Sequence, residues 1–142
     1  MTQEQKDLLL KDLCARLPYF TKVQIKNEIV VLDSICDDDG YHFNFIGDDR
    51  EGVNIENIKP YLFPLSSMNE EQKYDFYCRF IENDCDLDDF KEFYLDNGML
   101  HKLFTSLDDI EAIIDWFHKN HFDYRGLIPM GLANDATGLN IY

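Results

Sequence analysis

The sequence predicts an α+β fold: an N-terminal helix, a small antiparallel β-meander of about four strands, then about three C-terminal helices. Three observations lead to it. Leucines recur at helical spacing near the N-terminus, the period falls to two between Thr21 and Ile55, and helical spacing returns from Asn69 onward. No repeat, low-complexity tract or long linker interrupts this order, so residues 1–142 are read as a single α+β domain. A hydrophobic fraction of 45% and an aromatic fraction of 14% suit a folded chain rather than a disordered one.

The first helix begins at Thr2, because Gln5 three residues on completes a capping-box pair. Leu9, Leu10, Leu13 and Leu17 form its stripe, and Pro18 stops it, since the residue before a proline avoids the helical region. Val23 and Ile25 then alternate with polar residues in a first strand. Lys26-Asn27-Glu28 reads as a turn, and the β-branched run Ile29 to Ile35 as a second strand. Asp39-Gly40 is a favoured tight-turn dipeptide leading to Tyr41–Ile46, where aromatics alternate with polar residues. Gly47-Asp48-Asp49 marks another turn and Gly52 to Ile55 a short fourth strand. Pro60 and Pro64 bracket an extended segment expected to cross the core.

Three helices are expected after it. Asn69 to Ile81 carries Phe76 and Phe80 on one face. Leu87 to Asp96 carries Phe90, Phe93 and Tyr94 and is closed by Gly98. The last starts at Ser106, with Asp109 completing a capping box, and its stripe is Ile110, Ile113, Ile114 and Phe117.

The formal net charge is −15, and it is clustered. Asp33, Asp37, Asp38, Asp39, Asp48, Asp49 and Glu51 face only Arg50 within their segment. Glu82, Asp84, Asp86, Asp88, Asp89, Glu92 and Asp96 face only Lys91 in theirs. Direct nucleic-acid binding is disfavoured, because phosphates would be repelled; a basic protein partner, or a metal ion, is permitted. No segment reaches the roughly 18 apolar residues of a membrane span, and the polar N-terminus lacks a signal-peptide core, so a soluble cytoplasmic protein without membrane association is expected. Cys14, Cys36, Cys78 and Cys85 form no CxxC pair and are expected to be reduced and mostly buried.

No motif names a reaction. EF-hand registers anchored on Gly40 or Asp84 fail at required positions: the first puts Ile35 at position 1, and the second puts Asp89 at position 6 and Leu95 at position 12. The acid-rich loop before the predicted second C-terminal helix is instead a solvated one, favoured by the helix N-terminus. His118 and His121 are three apart at the end of the last helix, a spacing that puts both on one face for a metal or, more simply, near a helix C-terminus that favours positive charge. Nucleophile-elbow, phosphate-loop and dinucleotide patterns are absent, and no cofactor, metal or catalytic residue is assigned. Arg125, between Tyr124 and Gly126 and after Asp123, reads either as a clamp pinning its irregular segment or as an exposed recognition residue.

Two blocks resemble a family of uncharacterised proteins encoded by gut Bacteroidales and by their phages and other mobile elements. One is Ile58-Lys59-Pro60-Tyr61-Leu62-Phe63-Pro64-Leu65-Ser66-Ser67-Met68 with the acidic helix start after it. The other is Asp115-Trp116-Phe117 followed by His121-Phe122-Asp123-Tyr124-Arg125-Gly126-Leu127-Ile128 and Gly131-Leu132-Ala133. The hairpin starting Lys22-Val23-Gln24-Ile25 is similar as well. The resemblance implies a mobile-element context and no activity, and the tail Asn134-Asp135-Ala136-Thr137-Gly138 departs from the Ala-Pro-containing acidic tail of such relatives.

The function expected is that of a non-enzymatic acidic phage or mobile-element protein that binds another macromolecule. Candidate interaction residues are Asp37, Asp38, Asp39, Asp48, Asp49, Asp84, Asp86, Asp88 and Asp89. Asp123, Tyr124, Arg125 and Gly126 form a structural signature. The alternative is a DNA mimic that blocks a host nuclease or DNA-binding protein. A small enzyme with an unrecognised site stands third.

Overall fold

Five strands form one mixed sheet in the order β3-β2-β1-β4-β5. The structure is a computed structural model that describes residues 1–37, 40–81 and 107–142. The chain divides into two compact units, Met1–Leu62 with Arg125–Tyr142, and Phe63–Tyr124. Each has its own apolar core. The α+β class expected from the sequence is present, with five strands among the described residues where about four were expected.

In the first unit, α1 (Gln3–Arg16) starts on a complete capping box. The Thr2 hydroxyl accepts from the Gln5 N–H and the Gln5 side chain accepts from the Thr2 N–H. Such a cap is worth about 1 kcal/mol. The helix ends one residue before Leu17-Pro18-Tyr19, which form a 3-10 turn. Its buried face is Leu9, Asp12, Leu13 and Arg16, so half of the inward stripe is charged.

β1 (Lys22–Ile25) buries Val23 and Ile25 and turns through Lys26-Asn27 into β2 (Glu28–Asp37). β3 (Tyr41–Phe45) returns antiparallel to β2 and buries Phe43 and Phe45. The β2–β3 register shifts between Leu32 and Ser34, leaving Asp33 as the extra residue of a bulge. The shift lets Leu32 and Ile35 both turn toward the core while Asp33 stays exposed.

The fourth strand lies one segment later than expected. Gly52 to Ile55 forms no strand. Gly52 is at φ 67°, and the Asn54 side chain accepts from the Glu56 N–H at 3.0 Å, winding the chain into a 3-10 turn over Ile55–Asn57. β4 is Ile58–Leu62, antiparallel to β1. Pro60 is tolerated there because β5 (Asn134–Asp135), parallel to β4, pairs only with Tyr61 and Leu62, so no bond is lost to β5 at Pro60. The Tyr142 hydroxyl extends the β1–β4 ladder: it accepts from the Lys22 N–H (3.0 Å) and donates to the Tyr61 carbonyl (2.9 Å). The residue keeps 41% of its surface exposed, but its hydroxyl end sits between two strands, and desolvation there pushes the phenol up to about 12.

The second unit is built on α2 (Glu70–Phe80) and α3 (Leu107–Lys119). Asn69 and Gln72 form a capping box at α2. The α3 stripe turns inward through Ile113 and Phe117, joined by Trp116. Phe76 sits 5.1 Å from Trp116 and 5.3 Å from Phe117, ring centre to ring centre, and Trp116 stacks on Phe122 at 5.7 Å. Phe63 runs beside Phe122: its N–H donates to the His121 carbonyl and its carbonyl accepts from the Asp123 N–H. The expected Leu87–Asp96 helix and the Ser106 cap lie outside the described residues.

Among the described residues, no helix is long and apolar enough to cross a membrane. The cysteines depart from expectation in part: Cys14 and Cys36 are free thiols, as expected. Cys14 and Cys36 are exposed, and Cys78 is disulfide-bonded. Cys14 lies off the buried stripe of α1, and Cys36 points outward near the end of β2, where the strand leaves the core.

Candidate functional site

The acidic turns are built by the hairpins of the sheet. Asp37 is exposed at the end of β2, opposite Tyr41. Beyond the other end of β3 the chain folds back at once: the Asp48 N–H donates to the Phe45 carbonyl at 3.3 Å, placing Asp48 half-buried and Asp49 exposed. Asp38, Asp39, Asp84, Asp86, Asp88 and Asp89 lie outside the described residues.

Arg50 holds this second turn. Its backbone N–H and Nε both donate to Asp48 Oδ1, at 3.0 and 2.8 Å. Its terminal nitrogen pairs with Asp48 Oδ2 at 2.7 Å and with Glu28 across the sheet. These hydrogen bonds hold the Asp48 carboxyl below its usual range and raise the Arg50 guanidinium. One cation therefore serves two carboxylates. Asp33, Asp37, Asp49 and Glu51 make no ion pair among the described residues. The acid cluster thus splits into a neutralised structural part, Asp48, and a rim of uncompensated charge.

That rim borders an open strand edge. β3 is the last strand of the sheet. Among the described residues nothing pairs with its outer edge beyond the Phe45–Asp48 bridge. Residues 51–55 run beside it without joining it, leaving open grooves of about 510 and 300 Å³. Glu51 and Gly52 border the first with His42, Phe43 and Asn44, and Val53, Asn54 and Ile55 border the second with Gly40, Tyr41 and His42. A third cleft, about 670 Å³, lies on the β1–β2 turn side of the same segment, between Lys26-Asn27-Glu28 and Arg50–Val53. Tyr41 and Ile46, 52% and 51% exposed, stand at the two ends of β3.

The structural signature is divided between the units. Asp123 is buried, and Tyr124 stacks on Phe117 at 5.4 Å with its hydroxyl 3.0 Å from His118 Nε2. Arg125 places Nε 3.1 Å from Asp12 Oδ1, while Arg16 Nε holds Asp12 Oδ2 at 2.7 Å. Asp12 and Arg16 are fully buried, so one carboxylate gathers two guanidinium groups. This is the contact a clamp would make. Gly126, at φ 75°, then turns the chain so that Leu127 and Leu132 enter the core.

His118 and His121 do not share a helical face. α3 ends at Lys119, and His121 sits past it at φ 57° with its carbonyl committed to Phe63. Among the described residues no group of three or more His, Cys, Asp or Glu could hold a metal ion. Sequence reasoning missed Asp12 and Glu28. Asp12 has a legible signal, an Asp and an Arg four apart on the same stripe as Leu9 and Leu13. Glu28 has none, because its partner is fixed by strand pairing.

No protein-family model, no curated protein and no solved structure matches this chain.

Proposed function

We propose that this chain is a non-enzymatic acidic protein of a phage or mobile element that acts by binding a basic protein partner. The observation that supports it is the rim of exposed carboxylates, Asp37, Asp49 and Glu51, which among the described residues have no ion pairs and surround an open strand edge, while Asp48 is neutralised by Arg50. Exposed like charge steers an oppositely charged partner and discourages anionic ones. The mobile-element context rests on the resemblance carried by the Ile58–Met68 and His121–Ile128 blocks. The narrower DNA-mimic reading needs the acids between 82 and 96 aligned with this rim, and those lie outside the described residues.

The test is affinity capture of the tagged protein from its native host, run beside an Asp37→Asn/Asp49→Asn/Glu51→Gln variant. The expected result is a partner retained by the wild type at low salt and lost by the variant or above about 0.5 M salt, where screening shortens to a few ångströms. A partner retained equally by the variant overturns the reading.

A further inference from the structure

We propose that the outer edge of β3 takes an extended, lysine- or arginine-bearing segment of the protein partner as an added strand. The inference deepens the acidic-binder reading and rests on it. In an antiparallel pair, alternate residues direct both N–H and C=O away from the partner strand, so an edge strand presents a row of hydrogen-bonding groups to whatever lies beside it. β3 presents that row at Tyr41 and Phe43, the Phe45 carbonyl already accepting from Asp48, with the His42 and Asn44 side chains exposed along the strand. The neighbouring segment 51–55 leaves room: a Cβ built on Gly52 meets nothing within 4 Å, and the two grooves follow the strand from Asn44 to Gly40. Tyr41 and Ile46 supply apolar contact at the ends of an incoming strand.

Charge selects the occupant. Glu51 lies in the groove wall, and Asp37 and Asp49 lie near opposite ends of β3. A second copy of this chain, pairing edge to edge, would bring these carboxylates against their own counterparts in a molecule of net charge −15. The same acids that guard the edge against self-pairing attract a segment with Lys or Arg at alternate positions. Strand addition takes affinity from the main chain and selectivity from alternate side chains.

The probe is a blocked synthetic peptide of about seven residues alternating lysine with threonine and valine, enough to span β3. Its control is the same peptide N-methylated at every second residue. Binding is measured by calorimetry and mapped by backbone-amide NMR. Expected is saturable binding with shifts confined to residues 41–45 and 51–55, at least tenfold weaker for the N-methylated peptide. The Asp37→Asn/Asp49→Asn/Glu51→Gln variant should bind the lysine peptide several-fold more weakly with an unchanged map. Absence of saturable binding, affinities of the two peptides within twofold, shifts centred elsewhere, or unchanged affinity in the neutralised variant each overturns the proposal. So does a wild-type dimer with β3 amides protected. A host partner captured equally by a Tyr41→Pro variant that melts normally, which removes an outward N–H at the first residue of β3, overturns the edge site and leaves the acidic-binder reading standing.

Discussion

Asp12 is the residue on which most of the buried charge in the first unit converges. It lies on the inward face of α1, fully buried, with Arg16 at 2.7 Å and Arg125 at 3.1 Å. Taking charges out of water is costly, and their mutual attraction offsets that cost only while each partner stays in place. Asp12→Asn keeps the shape but leaves two guanidinium groups facing a neutral amide. A loss of about 3–5 kcal/mol is expected, a fall of roughly 10 °C in melting temperature for a chain of this size. Arg125→Ala should cost less, about 1–2 kcal/mol and several degrees, because the Arg125 side chain is 20% exposed and water replaces part of the interaction. In the double variant the Arg125→Ala loss should shrink, since its anionic partner is already gone. Thermal melts followed by circular dichroism measure all three. An unchanged melting temperature in Arg125→Ala would oppose the clamp.

Between elements, the α2–α3 contact carries its own reporter. Trp116 is the chain's single tryptophan, and its indole N–H donates to Asp75 Oδ2 at 2.8 Å while Arg79 donates to Oδ1 at 2.7 Å. Desolvation raises the Asp75 carboxyl, but the bonds from Arg79 and Trp116 outweigh it and leave it below the usual range. A carboxyl depressed on folding adds stability above its unfolded value, near 3.9, and loses it as pH falls through the folded one. Acid titration should therefore move Trp116 emission below about pH 4. Asp75→Asn, which keeps an acceptor but no proton to gain, should abolish that step; a step persisting in the variant assigns it elsewhere. Asp75 is 41% exposed, so the contribution is about 1 kcal/mol or less. This contact was not legible in the sequence, since Asp75 and Trp116 are 41 residues apart. The helices themselves were. Thr2 with Gln5 and Asn69 with Gln72 carry their caps in local spacing, and Ile113 and Phe117 carry the buried stripe. The fourth strand was misplaced because Val53 and Ile55 have a strand-like alternation that Gly52 and the Asn54 cap override. β5 was invisible because two residues contain no period.

Across the whole molecule, charge was the property most legible from sequence, and its local use the least. Both acid clusters can be counted, but which acids are neutralised depends on folding: Asp48 finds Arg50, Glu56 finds Lys6 at 2.7 Å, and Glu70 finds Lys73 at 2.7 Å. These pairs are at least partly exposed, contribute little individually, and weaken as salt is added. Against them stands the mutual repulsion of 28 acids with only 13 Lys and Arg to offset it. Screening acts on both terms with opposite sign. Raising ionic strength from about 0.01 to 1 M shortens the screening length from roughly 30 to 3 Å, which removes the many long-range repulsions while the close contacts keep part of their attraction. The repulsive term should win, and sodium chloride should raise the melting temperature by a few degrees over that range. The experiment uses chloride rather than sulfate, so that stronger effective burial by an excluded anion does not imitate the result. A melting temperature that falls with sodium chloride would mean that the short-range pairs, Arg50 with its two carboxylates foremost, outweigh the net charge of −15 in holding the fold.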